Sequence, residues 1–129
     1  MSFTPASAVS ADIYEDLHLF VSFERGAAEL DGKPIKLANK EFELLAYLVR
    51  HARELISRET LLLTIWGYGP TVRTRTLDVH IRRVRQCLEP YGKVYLETVF
   101  SVGYRFQPYV RKRVEPTQLV AVEASRSTA

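Results

Sequence analysis

Residues Arg73 to Arg85 read RTRTLDVHIRRVR, the most distinctive pattern in the sequence. At about 100° per residue, a helix gathers the apolar residues of this stretch in one narrow arc and leaves polar residues opposite. The arc holds Leu77, Ile81, Val84 and Leu88, and the other side holds Arg75, Val79, Arg82 and Arg83. The pattern predicts an amphipathic helix over residues 73–88 that docks by its apolar stripe.

Positive charge is concentrated in this helix. Five arginines against the single Asp78 give residues 73–85 a net charge of +4, whereas the whole chain carries +3. Asp78 and Arg82 are its only i,i+4 pair of opposite charge, although surface helices commonly mix the two signs. Guanidinium groups bind guanine edges and neutralise phosphates, so the sequence predicts a helix that enters a DNA major groove. The alternative at this point is a basic face that only meets solvent.

Two further helices are predicted upstream. KEFELLAYLVRHA predicts a core helix from about Asn39 to about His51, with Phe42, Leu45, Val49 and Ala52 at helical spacing. SRETLLLTIWG predicts a second helix over residues 58–66, capped by Ser57 and closed by Gly67 in a left-handed conformation. The loop GYGPTV then leads to the cationic helix, which ends near Leu88 because Pro90 and Gly92 follow.

Strand patterns flank the helices. From Leu17 the segments LHLFV, AAEL and KPIKL alternate with period two and predict a small antiparallel meander, in which Asp31 and Gly32 form a tight turn. VYLETVF and GYRF predict a closing hairpin around residues 101–103. The predicted fold class is α+β, a winged helix-turn-helix with an N-terminal antiparallel sheet, three helices and a C-terminal β-hairpin wing.

The domain organisation follows from the same patterns. Residues 1–16 are rich in Ser, Ala and Thr and predict a flexible tether. Residues 17–106 predict one folded domain, which suits a chain of 129 residues. Residues 107–129 are polar and interrupted by Pro, carry the basic cluster Arg111–Arg113, and predict a disordered tail.

Composition limits the location and the chemistry. The chain is 47% hydrophobic and 26% charged, and it has no apolar run near the length of a membrane helix. Its first residues, MSFTPASAVSA, lack the features of a signal peptide, so we expect a cytoplasmic protein with no membrane partner. Cys87 is alone, which excludes an internal disulfide and favours a small core or boundary residue.

The pattern of reactive residues does not favour an enzyme. His18, His51 and His80 are scattered, no phosphate-binding GxxxxGK[ST] loop occurs, and Gly67-Tyr68-Gly69 is typical of a turn. We therefore expect no catalytic residues, no metal and no cofactor. The remaining alternative is a winged helix that contacts RNA or an acidic protein, although no aromatic residue lies on the outer face of the cationic helix as a stacking platform.

From about Leu17 to Phe106 the sequence resembles the DNA-binding effector domain of OmpR/PhoB-family bacterial response regulators. The motifs that carry the resemblance are KEFELLAYL, ISRETLLLTIWG, RTLDVHIRRVRQCLEP and ETVFSVGYRF, in this order. The resemblance implies sequence-specific binding of double-stranded DNA as a transcriptional regulator, with the third helix in the major groove and the wing over the adjacent minor groove. It also implies head-to-tail binding to direct repeats and a contact between loop 67–72 and RNA polymerase. Because a head-to-tail contact is heterologous, we expect a monomer in solution.

The resemblance also assigns roles to individual residues. It implies that phosphates are held by Arg75, Thr76, His80 and Arg82, that bases are faced by Val79, Arg83 and Arg85, and that the flanking backbone is clamped by Trp66, Thr98 and Tyr104. Three of these have alternatives. Arg85 lies beside Asp78 on the helical wheel and could pair with it, His80 could be a satisfied boundary residue, and Trp66 could pack under the loop.

Three features depart from the family pattern. Ala38 stands where the family has Thr or Ser, so the capping box with Glu41 is lost and Asn39 is the alternative cap. The family's receiver domain does not precede the module, which fits either an excised fragment or a natural regulator without a receiver.

The wing carries Phe100 and Ser101 in place of Arg and Gly. We expect such a wing to read little sequence, with Ser101 not requiring a positive φ. We expect Phe100 to fold onto Tyr104, and the alternative is that it packs on DNA sugars.

Overall fold

The computed structural model describes residues 8–9 and 12–110. In chain order, its elements are β1 (Ala8–Val9), β2 (Ile13–Glu15), β3 (Leu19–Ser22), β4 (Ala27–Leu30), β5 (Lys33–Ile35), α1 (Asn39–Arg50), β6 (Leu55–Ser57), α2 (Arg58–Leu61, continued by a π-helix over Leu62–Trp66), α3 (Thr76–Cys87), α4 (Gly92–Tyr95), β7 (Leu96–Val99) and β8 (Gly103–Phe106). This is the predicted α+β winged helix-turn-helix, with one short helix and three strands that the sequence patterns did not indicate.

The N-terminal sheet is an antiparallel meander in the order β1-β2-β3-β4-β5. The predicted turn between β4 and β5 is confirmed, because Asp31 has φ 51° and Gly32 has φ 81°. Positive φ at both central residues is the turn geometry that matches the twist of a two-residue hairpin.

The sheet begins earlier than the sequence predicted. β1 and β2 belong to the segment assigned to a flexible tether, yet Tyr14 of β2 pairs with Val21 of β3 and its side chain is fully buried. The assignment of residues 8–9 and 12–16 to the tether is therefore wrong. Strands of two and three residues are too short to show alternation in a sequence. The large aromatic side chain of Tyr14 was the available signal that this segment packs against the core.

The folded part also extends past the predicted C-terminal boundary. The amide of Gln107 donates to the carbonyl of Tyr95 at 2.8 Å, and the amide of Leu17 donates to the carbonyl of Tyr109 at 3.1 Å. Residues 107–110 are thus part of the domain and not of a tail. The remainder of the predicted tail, including Arg111–Arg113, lies outside the described residues.

The first two helices begin close to the predicted residues. Ala38 is the N-cap of α1, and its amide donates to Glu41 Oε1 at 2.9 Å. The methyl group of Ala38 cannot accept the reciprocal bond, so half of a capping box remains and the expected cap at Asn39 is wrong. For α2 both predictions are confirmed, since Ser57 Oγ accepts the Thr60 amide at 3.0 Å and Gly67 has φ 75°.

The cationic helix is shorter than predicted. α3 begins at Thr76 instead of Arg73, because the hydroxyl of Thr74 accepts the Thr76 amide at 3.1 Å and holds the preceding residues in a turn. After α3, Gly92 begins α4 instead of only ending a helix. A Cβ on Gly92 would lie 2.3 Å from the carbonyl oxygen of Arg85, so glycine is needed for this close approach.

The second sheet has the order β6-β8-β7, so the predicted hairpin is confirmed and gains a third strand. The core lies between the two sheets and the helices, where the whole predicted stripe of α3 is buried against α1. Phe106 of β8 stacks on Tyr95 with ring centroids 5.4 Å apart and meets the edge of Tyr14 at 5.5 Å. These contacts join the wing strand β8 to α4 and to the N-terminal sheet.

Candidate nucleic-acid interface

The outer face of α3 is exposed, as its periodicity predicted. Its apolar stripe, Leu77, Ile81, Val84 and Leu88, has no more than 1% exposure, and the opposite side chains face solvent. Val79 is 40% exposed in the middle of this face, between exposed Arg75 and Arg82. An α-helix with one cationic side can enter a major groove, which admits a helix of this diameter. We call the exposed side formed by Arg75, Val79, Arg82 and Arg83 the cationic face.

The two central arginines of the cationic face differ in their contacts. Arg82 makes no ion pair within the described residues. Arg83 Nη1 lies 4.0 Å from Oε2 of buried Glu41, at the limit of an ion pair, and the Arg83 side chain remains 57% exposed. Both guanidinium groups are therefore available to a ligand, and a polyanion is the ligand that their charge favours.

An ion-pair network holds α3 against α2 and the wing. Asp78 accepts two hydrogen bonds from Arg58, at 2.6 and 3.1 Å, and a third from the Tyr104 hydroxyl at 2.6 Å. The expected pair between Asp78 and Arg82 is not formed. Because Asp78 is turned towards Arg58, the only carboxylate of α3 is neutralised locally and does not oppose an anion at the cationic face.

Arg58 was missed by the sequence analysis, although its position carried a signal. Arg58 is the first residue of α2, where the partial positive charge of a helix N-terminus disfavours a cation. A cation at this place indicates a nearby carboxylate partner, which the structure identifies as Asp78. Together with Tyr104, Arg58 positions α3 through its bonds to Asp78.

The network predicts a stability effect that depends on pH. The hydrogen bonds from Arg58 hold the pKa of Asp78 below its ordinary value of 3.8. A lowered folded-state pKa stabilises the fold above the unfolded pKa, and this contribution is lost as the pH falls below 3.8 towards the folded-state pKa. We expect Asp78→Asn to lower the free energy of unfolding by about 0.5–1 kcal/mol at pH 7, a small value because the pair is partly exposed. Urea unfolding at pH 7 and pH 3 measures it.

The expected difference in unfolding free energy between wild type and Asp78→Asn narrows at pH 3, because the carboxyl is largely protonated in the unfolded chain there and part of the stabilisation from its lowered folded-state pKa is lost. Glu24→Gln is the matched control, since it removes a carboxylate that is exposed in the β3–β4 loop. An equal difference in unfolding free energy between wild type and Asp78→Asn at the two pH values would show that the charge of Asp78 does not stabilise this network.

Arg85 does not form the alternative pair with Asp78. Its guanidinium donates to the carbonyl of Leu96, at 2.7 Å from Nη2, and to Thr98 Oγ1 at 2.6 Å. Arg85 therefore joins α3 to β7, and its expected contact with bases stays a prediction. Thr98 remains exposed beside it, and because its oxygen accepts the Arg85 bond, its own proton is free to donate.

The other predicted contacts lie around the first turn of α3. Tyr104 is only 6% exposed and its hydroxyl donates to Asp78, so Tyr104 supports the position of α3, and its expected contact with the flanking DNA backbone stays a prediction. His80 Nδ1 lies 2.8 Å from the Thr76 carbonyl, and its ring meets the edge of Trp66 with centroids 4.9 Å apart. His80 and Trp66 are both half-buried, so they pack together under the edge of the cationic face.

The tip of the wing differs from the expected arrangement. Phe100 is 89% exposed and does not fold onto Tyr104. Ser101 has φ 65°, so the turn does require the left-handed conformation that the family's glycine favours, and the expectation for Ser101 is wrong. The hairpin geometry is retained with a residue that tolerates it less well.

Cys87 is partly buried, as expected for a residue between core and surface, and burial raises the pKa of its thiol. Among residues 12–110, no group of three or more His, Cys, Asp and Glu side chains is placed to hold a metal ion. In the part of the chain that the structure describes, no helix has the length and apolar character needed to cross a membrane.

The fold and the cationic face together define a winged-helix DNA-binding domain. Residues 32–106 match the family described as "Transcriptional regulatory protein, C terminal", and the chain belongs to this family. It is a DNA-binding domain of the kind found in OmpR/PhoB response regulators.

Three known proteins illustrate the similarity. The uncharacterized transcriptional regulatory protein YclJ of Bacillus subtilis is 39% identical over 104 residues, which cover 80% of this chain and 46% of YclJ. The response regulator DrrB, a Thermotoga maritima OmpR/PhoB homolog, is 34% identical with a TM-score of 0.67, over 74% of this chain and 44% of DrrB. The Klebsiella pneumoniae RstA DNA-binding domain, solved in complex with the RstA box, is 28% identical with a TM-score of 0.68, over 75% of this chain and 98% of that domain. The chain thus spans less than half the length of YclJ and DrrB.

Proposed function

We propose that the chain binds double-stranded DNA at specific sequences and regulates transcription through this binding. The observation that carries the proposal is the cationic face, which α3 presents to solvent while its apolar stripe is fully buried. Because bacterial DNA lies in the cytoplasm, we propose that the protein acts there. The solved RstA domain, which is similar in fold, is in complex with DNA and supports the same ligand class.

The contact residues divide by their chemistry. We propose that Arg75, Thr76 and Arg82 hold phosphates around α3, while Val79 and Arg83 face base edges. An exposed Val suits the methyl group of thymine, and Arg suits guanine. Thr98 can donate its hydroxyl proton to a flanking phosphate. His80 and Trp66 are at the edge of this surface, and each keeps one ring nitrogen that can serve a phosphate.

A competition experiment tests the ligand class. A labelled random duplex pool is bound to the full chain and displaced with unlabelled duplex DNA, single-stranded RNA or an acidic peptide of matched charge. We expect duplex DNA to compete at a much lower concentration than the RNA or the peptide, because a rigid α-helix fits the major groove of a duplex. Stronger competition by RNA or the peptide would contradict DNA binding and show that the cationic face binds RNA or an acidic protein.

The mode of assembly is a second part of the proposal. The N-terminal sheet and the wing are separate parts of the fold. If the N-terminal sheet of one copy contacts the wing of a second copy, the arrangement is head-to-tail. Such a contact demands direct repeats in the DNA, not palindromes. We propose a monomer in solution that occupies tandem half-sites.

We expect two copies to bind a direct repeat with half-sites about 10 base pairs apart, which is one helical turn. Sedimentation of the free protein and band-shift titrations on direct and inverted repeats of one half-site measure this. A stable two-fold dimer without DNA, or preference for the inverted repeat, would contradict the head-to-tail arrangement.

We also propose that the loop over residues 67–72 contacts RNA polymerase. In support, Leu63 beside this loop is 59% exposed, and with Tyr68 and Pro70 it lines a shallow, mostly apolar groove of about 220 Å³. The loop follows α2 and precedes α3, so it remains outside the cationic face and is free for a second partner while α3 binds DNA.

A further inference from the structure

The wing carries an apolar side chain that the fold does not use. Phe100 is 89% exposed, more than any other large apolar side chain of the described residues. Burial of a Phe is strongly favourable, so a position that keeps its ring in water costs the protein a stabilising contact. The ring is therefore available to a ligand.

The backbone beneath Phe100 is held in place. The amide of Val102 donates to the carbonyl of Val99 at 3.0 Å, and the amide of Arg58 donates to the carbonyl of Val102 at 3.1 Å. At the base of the tip, a Cβ on Gly103 would lie 1.9 Å from the carbonyl oxygen of Ile56, so the strands are packed closely there. A tip anchored in this way loses little conformational freedom when it binds.

The position of Phe100 places it beside the DNA-binding surface. A groove of about 320 Å³ separates the wing from α3, with Asp78 on one wall and Phe100 on the other. Asp78 directly precedes Val79 of the cationic face, so this groove adjoins the surface that α3 offers to a duplex. The two carboxylates near this groove are both paired, Asp78 with Arg58 and Glu97 with Arg105, and they do not repel a phosphate backbone.

We propose that Phe100 is a wedge that inserts into the minor groove and partly unstacks one base step beside the major-groove site. The inference rests on the proposed DNA binding. Apolar side chains on minor-groove proteins act in this way, and pyrimidine–purine steps open at the lowest cost. Phe100 thereby confers a preference for a flexible step outside the sequence that α3 reads, without a hydrogen bond to any base. This replaces the expectation that the wing reads little sequence.

The test uses the full chain and a duplex enriched for binding, with 2-aminopurine placed in turn at each step of the flank. We expect wild-type protein to raise the fluorescence at one step, which reports unstacking. Phe100→Ala is expected to abolish this rise and to weaken binding about tenfold, the scale of one lost base–aromatic contact. Phe100→Leu keeps an apolar wedge and retains part of both effects.

Two comparisons make the test specific. Val94→Ala removes another exposed apolar side chain, on α4 outside the wing, and should change neither the fluorescence nor the affinity. Replacing the sensitive TA or CA step by AA should weaken wild type and leave Phe100→Ala unchanged. Thermal unfolding of each variant confirms that it is folded.

Tight duplex binding by wild type without any fluorescence rise would overturn the wedge while leaving the proposed function intact. Loss of only the second copy on a tandem site, with unchanged binding to a single half-site, would also overturn it and assign Phe100 to the contact between copies. Failure of the wild-type chain to bind any duplex would overturn both proposals together.

Discussion

Asp16→Ala is expected to destabilise the domain by about 3–5 kcal/mol, because five donors lose one shared acceptor. Asp16 Oδ1 accepts the amides of His18 and Leu19 at 3.0 and 2.8 Å and the Tyr95 hydroxyl at 2.6 Å. Oδ2 accepts the Tyr109 amide at 3.0 Å and the hydroxyl of Tyr14. One carboxylate thus joins the start of β3, the end of α4 and the last described residues of the chain.

The size of the effect comes from the two phenols. The side chains of Tyr14 and Tyr95 are fully buried, and burial raises the pKa of each hydroxyl, which therefore remains a neutral donor that needs an acceptor. A buried donor without a partner costs about 1–3 kcal/mol. Domains of this size are stable by only about 5–15 kcal/mol, so the loss is a large fraction of the total.

Urea unfolding followed by circular dichroism measures this prediction. Glu24→Ala is the control, because it also removes one acidic side chain, from an exposed loop position. Asp16→Asn should fall between the two, since the amide keeps one acceptor oxygen but presents a donor where the other oxygen stood. A loss below about 1 kcal/mol in Asp16→Ala would mean that water replaces the carboxylate and that this cluster is not a stabilising centre.

Arg83→Ala is expected to weaken binding to the preferred duplex by about 1–3 kcal/mol and to relax the preference at one base pair. Arg82→Ala is expected to weaken binding to all sequences alike and to reduce the salt slope by about one unit. The reason is the different position of the two arginines on the cationic face, one proposed to meet base edges and the other a phosphate. Binding titrations at several salt concentrations, on the preferred duplex and on single-base variants, separate the two effects.

Arg25→Ala is the matched control for both variants. It removes the same charge from an exposed loop of the N-terminal sheet, away from the cationic face, so it should change neither the slope nor the preference. Identical behaviour of Arg82→Ala and Arg83→Ala, with no change in base preference, would contradict the separate roles.

The helices could be predicted from the sequence because burial of one helix face leaves a periodic pattern. The stripe from Leu77 to Leu88 is buried in full, and the caps at Ser57 and Gly67 are where local chemistry required them. The same logic failed for β1 and β2, which are too short to show a period. The position of β2 depends on residues far along the chain or in another strand, such as Phe106 and Val21.

The interface could be predicted as a face but not residue by residue. A helical wheel places Arg85 on a flank, yet it carries no information about the strand packed beside it, whose carbonyl at Leu96 takes the guanidinium. Tyr104 and Arg58 are likewise fixed by a three-way contact with Asp78 that joins separate elements. The projection of Phe100 depends on the turn geometry at Ser101, which its residue type does not reveal.

Selection of bound duplexes from a random pool, performed in parallel with wild type and Arg83→Ala, tests the central claim that the cationic face of α3 reads DNA sequence. We expect wild type to enrich a defined motif in direct repeat, and the variant to enrich the same motif with one base position relaxed. Enrichment of no motif by wild type, or of an identical motif by the variant, would contradict it.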